Sequence, residues 1–474
     1  MMHLQIDSSA TSAMSWPRLL SRRRYPEQPQ LHVVTDAPPV RGAFVQDYDR
    51  VVFSSAFRRL QLRTQIMPLP ATDFVHTRLT HSLETACVGR SLGRLGGRLL
   101  LEETEGLAKE LPHLDADFGD IVAAACLAHD IGNPPFGHAG EDAISAYFRS
   151  AAAEPFVRML TAAQRADLQQ FEGNAAGFRL LTHTYAAHSS GSAGLGLTYA
   201  TLGAFTKYPR PSLVPEADRA SGISEKKHGY FQTEGPRFQE VARELGLLAK
   251  TAEPSEESGG YYRHPLAFLV EAADDLCYRI IDFEDGLKLG LIPCQEGLAL
   301  LRDMLSDVPG RQASVEWRDW REELGYLRAR LINRLVQQTA RLFADRAEGL
   351  LQGRYDEPLV QQLESWPQLA EMNRLTEKHL YHSRPVLETE AAGFEVLAGL
   401  LDAFLHATFD PQSSAHSRKL VQLLPEQFRA VGPQQEATAY EQIVLLTDFI
   451  GGLTDQNALG LYRSIRGIAL PATR

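Results

Sequence analysis

The stretch from Ile121 to Ile144, IVAAACLAHDIGNPPFGHAGEDAI, limits the fold more than any other part of the chain. Its first half is small and apolar, and Ile121, Val122, Ala125 and Leu127 read as the body of a buried helix. Gly132, Asn133, Pro134 and Pro135 then break it, because proline lacks the amide donor and clashes with the preceding turn. His129 and Asp130 sit at the break, and His138 and Glu141 follow it. A helix too apolar to be a solvated face thus ends among chemically able side chains. Their partners must come from elsewhere in the chain.

The flanking sequence reads as mostly α. Residues 43–66 carry Arg50, Ser54, Phe57, Arg58, Gln61 and Gln65 at helical spacing. Arg58, Arg59 and Arg63 are surface charges in isolation and phosphate clamps beside a nucleotide, since the guanidinium matches phosphate geometry. Residues 78–101 predict an amphipathic helix with Leu79, Leu83, Ala86, Cys87 and Leu92 facing a core, and with Arg78 and His81 pointing one way. Residues 171–183 start a further helix. Residues 184–260 are rich in Gly, Ser and Pro and read as loops or insertions. Within them Lys207 and Tyr208 end a helix just before Pro209, where an anion could be met, whereas Lys226, Lys227 and His228 read as a solvated basic spot. Residues 264–289 predict a buried helix on which Asp274, Tyr278 and Asp282 share one face. Carboxylates are rarely buried without a partner, and a metal or polar cleft would provide one. Residues 295–474 are helix after helix, with neither an internal repeat nor a strand series.

Composition narrows the class. A chain of 474 residues has ample length for a large core, and a net charge of -11 argues against binding nucleic acid or anionic membrane by bulk charge. Cys87, Cys126, Cys277 and Cys294 form no C-x-x-C pair and read as small buried hydrophobes, which suits a reducing cytoplasm. The first thirty residues have arginines but no apolar signal region, and no run of about 18 apolar residues predicts a membrane span. Residues 1–40 read as a partly ordered arm, 41–295 as the core with insertions at about 184–260, and 296–474 as an additional helical region.

His81, His129, Asp130 and Asp274 make a mixed imidazole–carboxylate set. Such a set is harder than a cysteine site and suits Mn²⁺, Mg²⁺, Fe²⁺ or Zn²⁺. An open position on the ion would take water or a phosphoryl oxygen.

The order His81, His129–Asp130, Asp274 resembles the HD-domain metal phosphohydrolases, and within them the deoxyguanosine triphosphate triphosphohydrolases. The strings that carry the resemblance are SSAFRRLQLRTQ (54–65), RLTHSLE (78–84), AHDIGNPPFGHAGE (128–141), FEGNAAG (171–177), LTYATLGAFTKYPR (197–210), HPLAFLVEAADDLCYRIIDFEDG (264–286) and DFIGGLTD (448–455). The resemblance implies an all-α fold, an HD phosphohydrolase core with an additional C-terminal helical region. It implies one divalent ion per subunit, Mn²⁺ or Mg²⁺ foremost, with Fe²⁺, Co²⁺ or Zn²⁺ also compatible. The implied reaction is hydrolysis of a deoxynucleoside triphosphate, dGTP foremost, to deoxynucleoside and tripolyphosphate in the cytoplasm. Carried over by motif, His81, His129, Asp130 and Asp274 are metal ligands, and His138 and Glu141 the catalytic pair. Gln65, Tyr278 and Asp282 fall on the sugar side, and Arg78, Lys207 and Tyr208 on the triphosphate. The family implies a homo-oligomer, often a hexamer, and more weakly single-stranded DNA or a regulatory nucleotide as partner; no membrane is implied. Ala176, Arg63, Phe449 and Leu453 depart from the family's commoner residues, which leaves base preference open. The competing readings are an HD phosphohydrolase for a monophosphate or signalling nucleotide, and a nucleotide- or DNA-binding regulator without catalysis.

Overall fold

The computed structural model describes residues 13–26, 41–65, 76–183, 194–215, 221–251, 260–307, 317–410, 412–429 and 438–469. Among the described residues every regular element is a helix, and β pairing is limited to isolated bridges such as Arg24 with Thr198. The fold is all-α, as expected.

Two helices form its centre, Arg78–Glu103 and Leu114–Ala128. They pack so closely that no side chain fits between parts of their backbones. A Cβ on Gly89 would lie 2.5 Å from Cys126 Sγ, one on Gly93 2.6 Å from the Phe118 carbonyl oxygen, and one on Gly97 2.7 Å from the Asp115 Cα. These glycines recur every fourth residue and so form one stripe. The stripe corrects part of the expected core face: Ala86 and Leu92 are buried and Leu79 packs on the core as expected, but Leu83 and Cys87 are exposed, while His81, Ser82, Thr85 and the glycines are buried. A pattern of large apolar residues misses a seam whose closeness requires small ones. The antiparallel register of the seam puts His81, near the start of one helix, opposite the end of the other, where His129 lies.

Helix Pro265–Lys288 packs on both members of the pair, and Trp320–Asp345 packs on Arg78–Glu103. Together they enclose a first hydrophobic core that also takes in Met14, Trp16 and Leu19 from the expected arm, with the Trp16 ring 4.7 Å from that of Phe118. A second core gathers helices Gly137–Arg149, Arg384–Thr408, Ala439–Gly451 and Asp455–Ile465. By length and hydropathy Arg384–Thr408 would suffice to cross a membrane, but Val396, Leu397, Leu400, Leu401, Phe404 and Leu405 bury its apolar side in this second core. The turn that carries Asp130 to Gly137 joins a helix of the first core to a helix of the second.

Three further expectations change. Residues 43–66 are not one helix: Ser54 ends Ala43–Phe53 in an extended conformation and caps Ser55–Arg59 by accepting the Phe57 amide at 3.1 Å. The region 184–260 is not loose where it is described. Residues 196–212 are all buried, anchored where the buried carboxylate of Asp47 accepts the Thr198 amide at 3.0 Å and the hydroxyls of Thr198 and Thr201 at 2.6 and 2.8 Å. Local composition cannot reveal such a distant anchor. Nor are Lys227 and His228 solvated: Lys227 lies 3.0 Å from Glu172, and His228 is buried.

Candidate active site

His129 follows the last residue of helix Leu114–Ala128, and its Nδ1 lies 2.6 Å from the Cys126 carbonyl oxygen. That bond places the proton on Nδ1 and turns the Nε2 lone pair inward. Nε2 is buried without a hydrogen-bond partner among the described residues. Around it stand Asp274 Oδ1 at 3.3 Å and Asp130 Oδ1 at 3.5 Å, while His81 Nε2 lies 3.1 Å from the same Asp274 oxygen. Ligand atoms of His81, His129 and Asp130 all fall within 4.8 Å of one another. Their other oxygens are held by cations: Arg78 Nη1 donates to Asp130 Oδ2 at 2.8 Å, and Lys207 Nζ to Asp274 Oδ2 at 2.5 Å. Burial works against ionisation of Asp274, yet Lys207 and His129 hold its carboxyl well below the usual range. Burial also opposes a proton on His129, but Asp130 and Asp274 raise its affinity for one. Inward imidazole nitrogen and converging carboxylates thus attract positive charge to one point, and this donor set fits a divalent ion.

His138 opens helix Gly137–Arg149, and its Nδ1 lies 2.7 Å from Glu141 Oε2. Glu141 is itself buried and fixed, because its Oε1 accepts the Gly173 amide at 2.7 Å. The pairing with Glu141 raises the pKa of His138, and Glu141 is held low in return against the opposing effect of its burial. The His138 side chain is 76% exposed, so a buried, oriented carboxylate presents an accessible imidazole.

Beside both groups lies a cavity of about 270 Å³. Gln65, Arg78, His138 and Tyr278 line it, joined by Phe136, Tyr381 and Glu390. Tyr278 stacks on Tyr381 with ring centroids 6.0 Å apart, and the Tyr381 hydroxyl donates to Asp282 Oδ2 at 2.7 Å. Arg78 reaches Asp130 by passing under the turn at Gly137, where φ is 61° and a Cβ would lie 2.5 Å from Arg78 Nη2. A glycine is required there on both counts.

An HD domain family model matches residues 78–196. Over 461 residues the chain is 43% identical to a deoxyguanosinetriphosphate triphosphohydrolase-like protein of Synechocystis, covering 96% of this chain and all of that one. A protein of the same description from Pseudomonas aeruginosa is 38% identical over 469 residues, covering 97% and 100%. The Klebsiella pneumoniae protein named deoxyguanosinetriphosphate triphosphohydrolase is 30% identical over 522 residues, covering 94% and 97%. The chain belongs to the deoxyguanosinetriphosphate triphosphohydrolase family.

This member of the family is therefore an enzyme, with a His/Asp group able to hold a metal. Its structure sorts the sequence-predicted residues into three sets. His81, His129, Asp130 and Asp274 converge, with Lys207 attached to them. Gln65, Arg78, His138 and Tyr278 line the cavity, with Glu141 behind His138 and Asp282 behind Tyr381. Tyr208 joins neither set: it is buried, with the Arg263 guanidinium 5.3 Å from its ring centre. Sequence reasoning missed the cavity residues Tyr381, Glu390, Phe136 and Asp455, and also Asn133, whose Nδ2 donates to Asp130 Oδ1 at 2.5 Å. Phe136 and Asn133 lie inside the AHDIGNPPFGHAGE string and Asp455 inside DFIGGLTD, so the signal for them was in hand. Tyr381 and Glu390 stand in ordinary helical sequence and carried none.

Proposed function

We propose that this enzyme hydrolyses deoxynucleoside triphosphates, dGTP foremost, to the deoxynucleoside and tripolyphosphate. The observation that carries the reading is the adjacency of the inward-facing His81, His129, Asp130 and Asp274 set to a cavity of nucleoside size that ends in His138. A divalent ion held by those four residues, Mn²⁺ or Mg²⁺ foremost, would polarise the α-phosphoryl group and offset its charge. Arg78 and Lys207 add fixed positive charge on the phosphate side. His138, protonated and oriented by Glu141, gives its proton to the departing 5′-oxygen as water bonds to phosphorus and the P–O5′ bond breaks. Tyr278, backed by Tyr381 and Asp282, packs against the deoxyribose and disfavours a 2′-hydroxyl, and Gln65 binds the sugar. Glu390 offers a carboxylate to the base, and its paired acceptors suit the adjacent N–H donors of guanine.

In this reading the enzyme is cytoplasmic, consistent with its four free cysteines, and works as a homo-oligomer, a hexamer in the fullest form. Regulatory nucleotides or single-stranded DNA are secondary partners to be scored in the same assay. The decisive experiment incubates the enzyme with each dNTP and its ribo-counterpart, singly and in mixtures, with Mn²⁺ or Mg²⁺. Ion chromatography then identifies the phosphate product. Tripolyphosphate with a preference for dGTP is expected. Orthophosphate or pyrophosphate alone would favour another HD phosphohydrolase chemistry, and no turnover with any nucleotide would favour a binding regulator.

A further inference from the structure

Two segments far apart in sequence grip each other from both sides at the cavity. From the first, buried Arg63 donates through Nη2 to the carbonyls of Gly451 at 2.6 Å and Leu453 at 2.9 Å, and through Nη1 to the carbonyl of Asn133. From the second, Asp455 returns the contact. Its Oδ2 accepts the Thr64 amide at 3.1 Å and the Thr64 hydroxyl at 2.9 Å, and its Oδ1 accepts the Phe136 amide at 3.0 Å. Asp455 is only 2% exposed, and it lines the cavity together with Thr64, Gln65 and His138.

One carboxylate therefore ties the segment that carries Gln65 to the turn that delivers His138. The turn needs such a tie. Phe136 has φ of 64°, a left-handed conformation that costs a bulky residue free energy and persists only when surroundings hold it. A carboxylate meets the requirement because both of its oxygens accept, so it serves donors on two sides at once. An asparagine in its place presents one accepting oxygen and must leave one side unheld.

We propose that Asp455 is a positioning residue for the reaction, a clamp that fixes Gln65 and His138 across the cavity through the amides of Thr64 and Phe136. It touches no reacting atom. What Gln65 and His138 do rests on the hydrolase reading above, whereas the clamp itself is a claim about two backbone amides.

Asp455→Asn in the full-length chain tests it. With dGTP the variant should lose kcat and gain KM, each by about tenfold or more, because both a charged hydrogen bond and the placement of reacting groups are affected. Its preference for deoxy over ribo substrate should fall. Hydrogen exchange read by mass spectrometry should speed up in the peptides spanning residues 58–65 and 131–138. Thr64→Val, which removes a single hydroxyl contact, serves if Asp455→Asn fails to fold, and should raise KM by only about threefold with kcat nearly kept. A merely architectural Asp455 would lower the active fraction while KM, deoxy preference and exchange in those two peptides stay at wild-type values, and that result overturns the clamp. If the wild-type enzyme hydrolyses no nucleotide, the hydrolase reading fails, and the exchange data alone decide the clamp.

Discussion

His81, His129 and Asp274 stand on or at the ends of helices of the first core, whereas His138 and Glu141 stand on a helix of the second. In the first group His81 and His129 are buried and Asp274 is half-buried, the carboxylates of Asp130 and Asp274 are paired with Arg78 and Lys207, and the register is set by a glycine seam with no slack. The second is half open and hangs from a proline turn that passes through a left-handed phenylalanine. Interlocked helices give one group a single geometry. The turn leaves the other to be aimed by its contacts. Damage to the first group should therefore be all-or-none, and damage to the second should be graded and dependent on pH.

The largest effect should follow removal of a cluster ligand. His129→Ala is expected to lose bound metal, measured by elemental analysis, and to cut hydrolysis by more than about a thousandfold, since both charge stabilisation and substrate orientation go with it. A variant that keeps its metal and a tenth of its activity would break the contrast between the two groups.

His138→Ala should retain its metal and still lose about a hundredfold to ten-thousandfold in kcat, the range of a general acid. Glu141→Gln sharpens the point through pH. Glu141 raises the pKa of His138, so the acid form persists to higher pH and activity falls as pH rises through that raised value. Removing the carboxylate charge should move this alkaline limb to lower pH while leaving the metal in place. A limb that does not move would assign the titration to another group.

These contrasts also explain what the sequence made legible. The cluster ligands and the His138–Glu141 pair fall in short, distinctive strings on helices or at their ends, where residue type and spacing already imply shared faces. The glycine seam that aligns His81 with His129 was not legible, because hydrophobic periodicity discounts glycine and threonine. The roles of Asp455 and Tyr381 were hidden for a different reason, although Asp455 itself stands in the distinctive DFIGGLTD string. Each acts through a partner hundreds or about a hundred positions away, Thr64 in one case and Asp282 in the other, and no local pattern encodes that pairing.

A smaller effect is expected at the stacked pair Tyr278 and Tyr381. Tyr381→Phe keeps the ring stacked on Tyr278 but removes the hydroxyl that serves buried Asp282. The deoxy-over-ribo ratio of kcat/KM should fall by about tenfold, the size expected when a buried acceptor loses its donor. Metal content and the pH limb should stay as in wild type. An unchanged ratio would place ribose exclusion elsewhere in the cavity.

The smallest effect on turnover comes from a contact that acts on stability and lies outside the chemistry. His76 precedes helix Arg78–Glu103, and its Nδ1 lies 2.8 Å from Asp285 on helix Pro265–Lys288, with Glu84 3.5 Å from Nε2. Burial disfavours its charge, but Asp285 and Glu84 push its pKa up to about 10 from an ordinary 6.5. A folded-state value raised in this way adds stability that is complete below the unfolded pKa and disappears as pH climbs through the folded one. The contribution should thus be whole at pH 6 and largely gone by about pH 10.5; unscreened, the raised value corresponds to roughly 5 kcal/mol, and solvent screening of the partly exposed partners brings the change in unfolding free energy to the order of 2 kcal/mol. Asp285→Asn should lower the urea midpoint at pH 6 and leave it nearly unchanged at high pH. Because His76 links two helices of the first core directly, the same variant should loosen the His81–His129 group before the His138 arm, and a fall in metal affinity preceding any change in the pH limb would confirm that order.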